Sequence, residues 1–305
     1  MSVIENALQK LRQRSGPGGG AGSRGAILRT PPEGARPAAP PVTVAARPSG
    51  AHEAPARRIA VDLTSLRRLG YLASDEQRRR VADEYRKIKR PLIEQAFAKE
   101  AAPEMRLVLI SSPLPGDGKT FTTINLALSM ARERDLSVLL IDADAAKGQV
   151  SEVFGVRKEP GLIDALLNES LDVESLIVRT DVPGLELLPA GRQVENATEL
   201  LASARMAQIA ARLTTHSARR IALIDSSPLL ASSEAGSLLR VPGQIVLVVR
   251  ASVTPRHAVF EALAHIDERK LRGLIFNQAR LPRGEGYYYY GYGDQGSVGS
   301  DKPAD

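Results

Sequence analysis

The chain has 305 residues, 43% of them hydrophobic and 25% charged, with no cysteine and four scattered histidines. That is enough apolar material for a sizeable core in one or two domains. It excludes disulfides, thiolate nucleophiles, Fe–S clusters and cysteine-based zinc sites. No apolar run approaches the ~20 residues of a membrane-spanning helix, and Met1 to Glu5 are not followed by the apolar core of a secretory leader. A cytoplasmic protein is expected. Residues 1–58 hold nine basic and three acidic side chains, which accounts for the whole net charge of +6. The remainder is balanced, so no nucleic-acid partner is expected. A basic arm near an anionic membrane surface fits the same numbers.

In chain order, residues 1–14 place Val3, Ile4, Ala7, Leu8 and Leu11 at helical spacing. A helix of about three turns is marginal alone, so the pattern reads either as a docking helix or as a frayed terminus. Residues 15–58 are rich in Gly, Pro, Ala and Arg and bury too little to offset their ordering entropy, so a disordered linker is expected. Order begins with a short extended piece at 59–63. A helix capped by Ser74 or Asp75 should follow, with an apolar stripe of Val81, Tyr85, Ile88, Leu92, Ile93 and Phe97.

After Pro103 strands and helices alternate. The strands are expected at 106–112, 137–142, 185–189, 220–225, 244–250 and 271–277, with helices between them such as 120–132 and 204–213. Short runs of Val, Ile and Leu without polar alternation suit parallel strands covered on both faces. The fold class is therefore α/β, a doubly wound, mostly parallel sheet, spanning 59–281 with a tail at 282–305.

The most informative segment joins the strand 107–112 to a helix through Pro113-Leu114-Pro115-Gly116-Asp117-Gly118-Lys119-Thr120. Gly116 and Gly118 allow a tight turn that brings backbone N–H groups onto phosphate oxygens. Lys119 reaches the β- and γ-phosphates and Thr120 offers a hydroxyl to Mg²⁺. The helix N-terminus adds partial positive charge. Pro113 stands where the usual eight-residue pattern has its first glycine. Two other strands end in acids, one at Asp142 and Asp144 and one at Asp225. Ligands in open α/β sheets sit beyond the carboxyl ends of the strands, so these carboxylates should converge on the loop. One would hold the metal and another would accept a proton.

With these motifs the chain resembles the bacterial tyrosine kinases of exopolysaccharide systems, especially the autokinases of PEP-CTERM/exosortase clusters. The family loop, Pro-Gly-Glu/Asp-Gly-Lys-Ser/Thr, is matched by Pro115 to Thr120, its Asp-x-Asp by Asp142 and Asp144, and its Walker B aspartate by Asp225. Ser226-Ser227-Pro228 stands where Ser-Pro-Pro is commoner. The resemblance implies a P-loop fold of the MinD/ParA type with an N-terminal helical extension, and transfer of the γ-phosphoryl group of ATP to tyrosine. It implies nucleotide contacts from Gly116, Asp117, Gly118, Lys119, Thr120 and Phe121, with Asn277 against adenine. It also implies Mg²⁺ on Thr120, Asp142 and Asp225, Asp142 as the base, and Asp144 supporting the metal or a neighbouring subunit.

Tyr287, Tyr288, Tyr289, Tyr290 and Tyr292 lie in Gly-rich sequence, where the resemblance implies autophosphorylation. Glu84, Lys87 and Arg90 match an oligomerisation pattern that has arginine where this chain has Lys87, and the resemblance implies a homo-oligomeric ring. It also implies a membrane chain-length regulator as activator, recruitment to the inner face of the membrane, a tyrosine phosphatase, and a role in exopolysaccharide or capsule synthesis and export. Two readings compete with this one. The first is a MinD/ParA-like ATPase switch, against which Leu114 stands where that group carries a signature lysine. The second is a pseudokinase adaptor.

Overall fold

The computed structural model describes residues 57–279. The expected helix at 1–14, nearly all of the 15–58 linker, and the 282–305 tail with its tyrosines lie outside the described residues.

The elements run β1 (Arg58–Ile59), α1 (Leu63–Arg68), α2 (Arg78–Ala96), β2 (Leu107–Ser111), α3 (Lys119–Met130), β3 (Ser137–Asp142), α4 (Gln149–Val153) and α5 (Leu162–Leu167). They continue with β4 (Val178–Thr180), β5 (Leu185–Leu188), α6 (Ala197–Ala202), α7 (Ala204–Thr215), β6 (Arg220–Asp225), α8 (Ser233–Leu238), β7 (Gln244–Arg250), α9 (Arg256–Ala264) and β8 (Leu271–Asn277). One eight-stranded sheet has the order β1-β4-β5-β3-β6-β2-β7-β8. Its pairings are parallel except β4 with β5.

The central strands are buried on both faces, and their side chains sort by alternation. Leu107, Leu109, Leu139 and Ile141 join one apolar cluster with helices α5 to α9. Val108, Ile110, Val138 and Leu140 join the other with α2 and α3. At roughly 1.5–3 kcal/mol for each large apolar side chain buried, these two layers hold the strand ends that carry the chemistry.

All six expected strands are present within a residue or two. Two features differ. Strand β4 has no counterpart among the expected strands, because three residues containing an exposed arginine carry too little pattern. It pairs antiparallel with β5 through a turn whose Gly184 has φ 78°. The long helix begins at Arg78 rather than after Ser74 or Asp75, because residues 74–78 close into turns, with Gln77 N–H donating to the Ser74 carbonyl at 3.0 Å. The N-capping aspartate sits earlier, where Asp62 accepts from Ser65 N–H at 2.9 Å and starts α1. The expected stripe on α2 does pack inward, with Tyr85 and Leu92 buried. Lys89 of α2 donates to the Ser129 carbonyl and pairs with Glu133, each at 2.6 Å, which fixes this helix to the far end of α3.

Among the described residues no helix is long and apolar enough to cross a membrane.

Candidate active site

Strand register brings the site together. Asp225 lies opposite Ile110 of β2 on one side and Asp142 of β3 on the other. Three strand ends thus meet beside the turn that leads from β2 into α3. In that turn Gly116 and Gly118 have φ 85° and 95°, in the left-handed region that favours glycine. A Cβ on Gly118 would overlap the Asn277 carboxamide, whereas Gly116 faces open space. Gly118 caps α3 without a side-chain acceptor, so the first N–H groups of the helix are left for an anion.

Asp117 is buried and turned away from that anion site. Its carboxylate accepts from Leu114 N–H at 3.0 Å and from the Thr254 hydroxyl at 2.6 Å, and so braces the loop. Asn277 does related work: its Nδ2 donates to the Asp117 carbonyl at 3.0 Å. In this conformation its donor is committed to the loop rather than to a base. Phe121 sits half-buried in the first turn of α3.

Lys119 reaches back across the acidic strand ends. Its Nζ lies 3.2 Å from Asp144 Oδ2, 3.6 Å from Asp225 Oδ2 and 3.3 Å from Thr120 Oγ1. Burial works against its charge, but Asp225 and Asp144 outweigh that and hold its pKa above the usual lysine value. Asp225 is fully buried and accepts from the hydroxyls of Thr120 at 2.8 Å and Thr123 at 3.0 Å. Burial pushes its pKa up, against the opposing pull of Lys119 and the two hydroxyls.

Asp142 is equally buried. Its Oδ2 accepts from both the backbone N–H and the hydroxyl of Ser151 at 2.7 Å. Burial raises its pKa to about 6 despite those hydrogen bonds, and the Asp225 charge adds to the rise. Asp144 Oδ1 accepts from the Ser227 hydroxyl at 2.9 Å, and Glu234 Oε2 lies 3.2 Å from the same hydroxyl.

The predicted residues Lys119, Thr120, Asp142, Asp144 and Asp225 are therefore assembled in one place. Thr123, Ser151, Ser227 and Glu234 belong there too and were missed. Thr123 follows Thr120 at one helical turn and was readable from that spacing. The other three depend on how the loops fold back and carry no linear signal. Glu84, Lys87 and Arg90 lie apart from this site, exposed on α2, with Glu84 paired to Arg80 and Arg90 to Glu94.

The donor set suits Mg²⁺ bound together with phosphate. Thr120 and Asp225 supply hard oxygens 2.8 Å apart. Among the described residues no group of three His, Cys, Asp or Glu side chains makes a cage of its own. Mg²⁺ commonly takes one or two protein oxygens and completes its shell with phosphate and water.

A protein-family model described as "AAA domain" matches residues 105–267. The tyrosine-protein kinase YwqD of Bacillus subtilis is 34% identical over 194 residues, covering 63% of this chain and 80% of that protein. This chain belongs to the bacterial tyrosine-protein kinase family. The putative tyrosine-protein kinase EpsB of Ralstonia solanacearum is 33% identical over 204 residues, 65% of this chain. The chain spans only 27% of that relative's length, so what it shares with EpsB is one portion of a longer protein.

Among solved structures of the same kinase family, the VpsO kinase domain is 28% identical with a TM-score of 0.57, covering 68% of this chain and all of that one. The kinase domain of the Escherichia coli tyrosine kinase ETK matches with the same TM-score at 25% identity, covering 68% of this chain and 80% of that one.

Proposed function

We propose that this chain is an ATP-dependent tyrosine autokinase whose acceptors are Tyr287, Tyr288, Tyr289, Tyr290 and Tyr292. The observation that carries the reading is the placement of Lys119. One ammonium is held among Asp144, Asp225 and the Thr120 hydroxyl, at the mouth of a glycine turn that opens a helix. A triphosphate entering there takes over Lys119, receives the N–H groups of the turn and of α3, and brings the charge the carboxylates need in order to bind a cation. Thr120 and Asp225 hold Mg²⁺, which when bound neutralises charge on the phosphates.

The phenol oxygen of an arriving tyrosine attacks the γ-phosphorus in line, the bond to the β–γ bridging oxygen breaks, and ADP leaves. Asp142 takes the phenolic proton. Its pKa of about 6 leaves it ionised at neutral pH yet far more basic than an ordinary aspartate. Asp144 keeps Lys119 in reach of the phosphates.

Each phosphate adds about −1.5 to −2 charges to the tail. The exposed Glu84, Lys87 and Arg90 face of α2 supports assembly of copies into a ring in which subunits modify one another's tails. Accumulated tail charge then drives the copies apart. The putative tyrosine-protein kinases EpsB and CapB among the relatives, taken with the motif resemblance, support a role in polysaccharide synthesis and export. That role implies a membrane chain-length regulator as activator at the inner face of the membrane, and a phosphatase that resets the tail. In this reading the unit 59–281 acts as the kinase domain, preceded by the amphipathic 1–14 segment and the 15–58 linker and followed by the acceptor tail.

The test is incubation of the full chain with Mg-ATP, followed by mapping of phosphate by mass spectrometry. Phosphate on residues 287–292 is expected, and none in Lys119→Met or Asp142→Asn. ATP turnover with unmodified tyrosines would instead support a nucleotide switch.

A further inference from the structure

The acidic strand ends contain a connection that the transfer chemistry does not by itself require. Ser227 is buried two residues beyond Asp225, and its single hydroxyl lies 2.9 Å from Asp144 Oδ1 and 3.2 Å from Glu234 Oε2. It is the second serine of Ser226-Ser227-Pro228, directly after the Asp225 strand end. Glu234 is fixed from behind, because its N–H donates to the Ser232 hydroxyl at 3.2 Å as α8 begins. Lys119, Asp144, Ser227 and Glu234 thus form a continuous polar chain from the phosphate loop to α8.

We infer that Glu234 is a positioning residue for phosphoryl transfer, acting through Ser227 on Asp144. In the free protein Asp144 is held on one oxygen by Lys119 and on the other by Ser227 and by Lys147 N–H at 3.3 Å. When Lys119 turns to the phosphates, Asp144 loses its charged partner. The Ser227 hydroxyl must then stay on Asp144 if that carboxylate is to keep its place. Glu234 is the other acceptor within reach of that single proton, so it sets the rotamer of Ser227 and, being farther, stands second to Asp144 for the proton itself. The inference rests on the phosphoryl-transfer reading above.

A double-mutant cycle tests it, with tyrosine phosphate and ADP release measured in parallel on the full chain. Ser227→Ala and Glu234→Ala should each lower kcat about tenfold and leave KM for ATP within about twofold. The double variant should fall no further than either single one. Glu234→Gln, whose amide can donate to the Ser227 oxygen and leave its proton for Asp144, should recover most of the rate. Additive losses, a loss confined to KM, or a glutamine variant as slow as the alanine one would each overturn the inference. Non-additive losses in ADP release without tyrosine phosphate would uphold it while removing the kinase reading.

Discussion

Strand β6 carries a buried ion cluster at each end, and the two differ in kind. At its start Arg220 donates to Glu174 at 2.7 and 2.9 Å and to Glu186 at 3.1 Å, with all three side chains largely buried. At its end Asp225 shares one lysine with Asp144, at 3.6 and 3.2 Å, while Asp142 stands alongside with no cation of its own. A planar guanidinium matches carboxylates in a fixed fork, and in the first cluster both terminal nitrogens of Arg220 are engaged by carboxylates, with only its Nε left without a partner. The second has one movable ammonium for three carboxylates, so more positive charge can be accommodated. Short contacts to a fixed fork mark structure. Long contacts to an overcommitted lysine mark a place built for a ligand.

Four experiments press on this contrast. The largest effect should come from Lys119→Met, which removes the cation proposed to grip the phosphates. Tyrosine phosphorylation should fall by at least ~100-fold in a steady-state assay, with the circular dichroism spectrum unchanged. Arg220→Met should do the reverse. Leaving Glu174 and Glu186 buried without their partner should cost about 3 kcal/mol, seen as a drop of roughly 10 °C in thermal unfolding. KM for ATP should stay near the parent value. A loss of nucleotide affinity with normal stability would show that the two clusters are not separable.

Asp142→Asn comes third and depends on pH. The folded pKa of about 6 lies above the ordinary 3.8, so the folded state binds the proton more tightly than the unfolded one. Stability therefore declines as pH rises from about 4 to about 6, and the full cost of the buried charge is present above that window. Asparagine removes this cost, so the variant should melt about 2–4 °C higher at pH 8, and the gain should shrink at pH 5. In the parent protein kcat should fall as pH drops through about 6, as the base becomes protonated. The smallest effect is expected from deleting residues 281–305, which should leave nucleotide affinity within about twofold because the proposed grip lies in the 116–120 turn, the start of α3 and the strand ends. A large loss would make the tail part of the nucleotide site.

Much of the site was legible because its parts obey short-range rules. Apolar runs ending in Asp142, Asp144 and Asp225, together with a glycine turn before Lys119, announce both the sheet and its ligand-binding edge. Asp117 looked equally like a phosphate-loop residue, yet its carboxylate serves Leu114 and Thr254, a use that depends on a residue 137 positions away. Ser151 beside Asp142, and Glu234 across Ser227, were hidden for the same reason: their partners are set by loop return and not by spacing. The three-residue β4 was hidden because its pairing with β1 and β5 comes from tertiary packing rather than from a pattern of its own.

The most direct measurement is the structure of the protein with Mg²⁺ and a non-hydrolysable ATP analogue. The triphosphate should lie in the turn from Gly116 to Thr120, with the Lys119 ammonium moved off Asp144 onto the β- and γ-phosphates and Asp144 still held by Ser227. A cleft that stays closed by an intact Lys119–Asp144 pair, with nucleotide elsewhere or absent, would contradict the account.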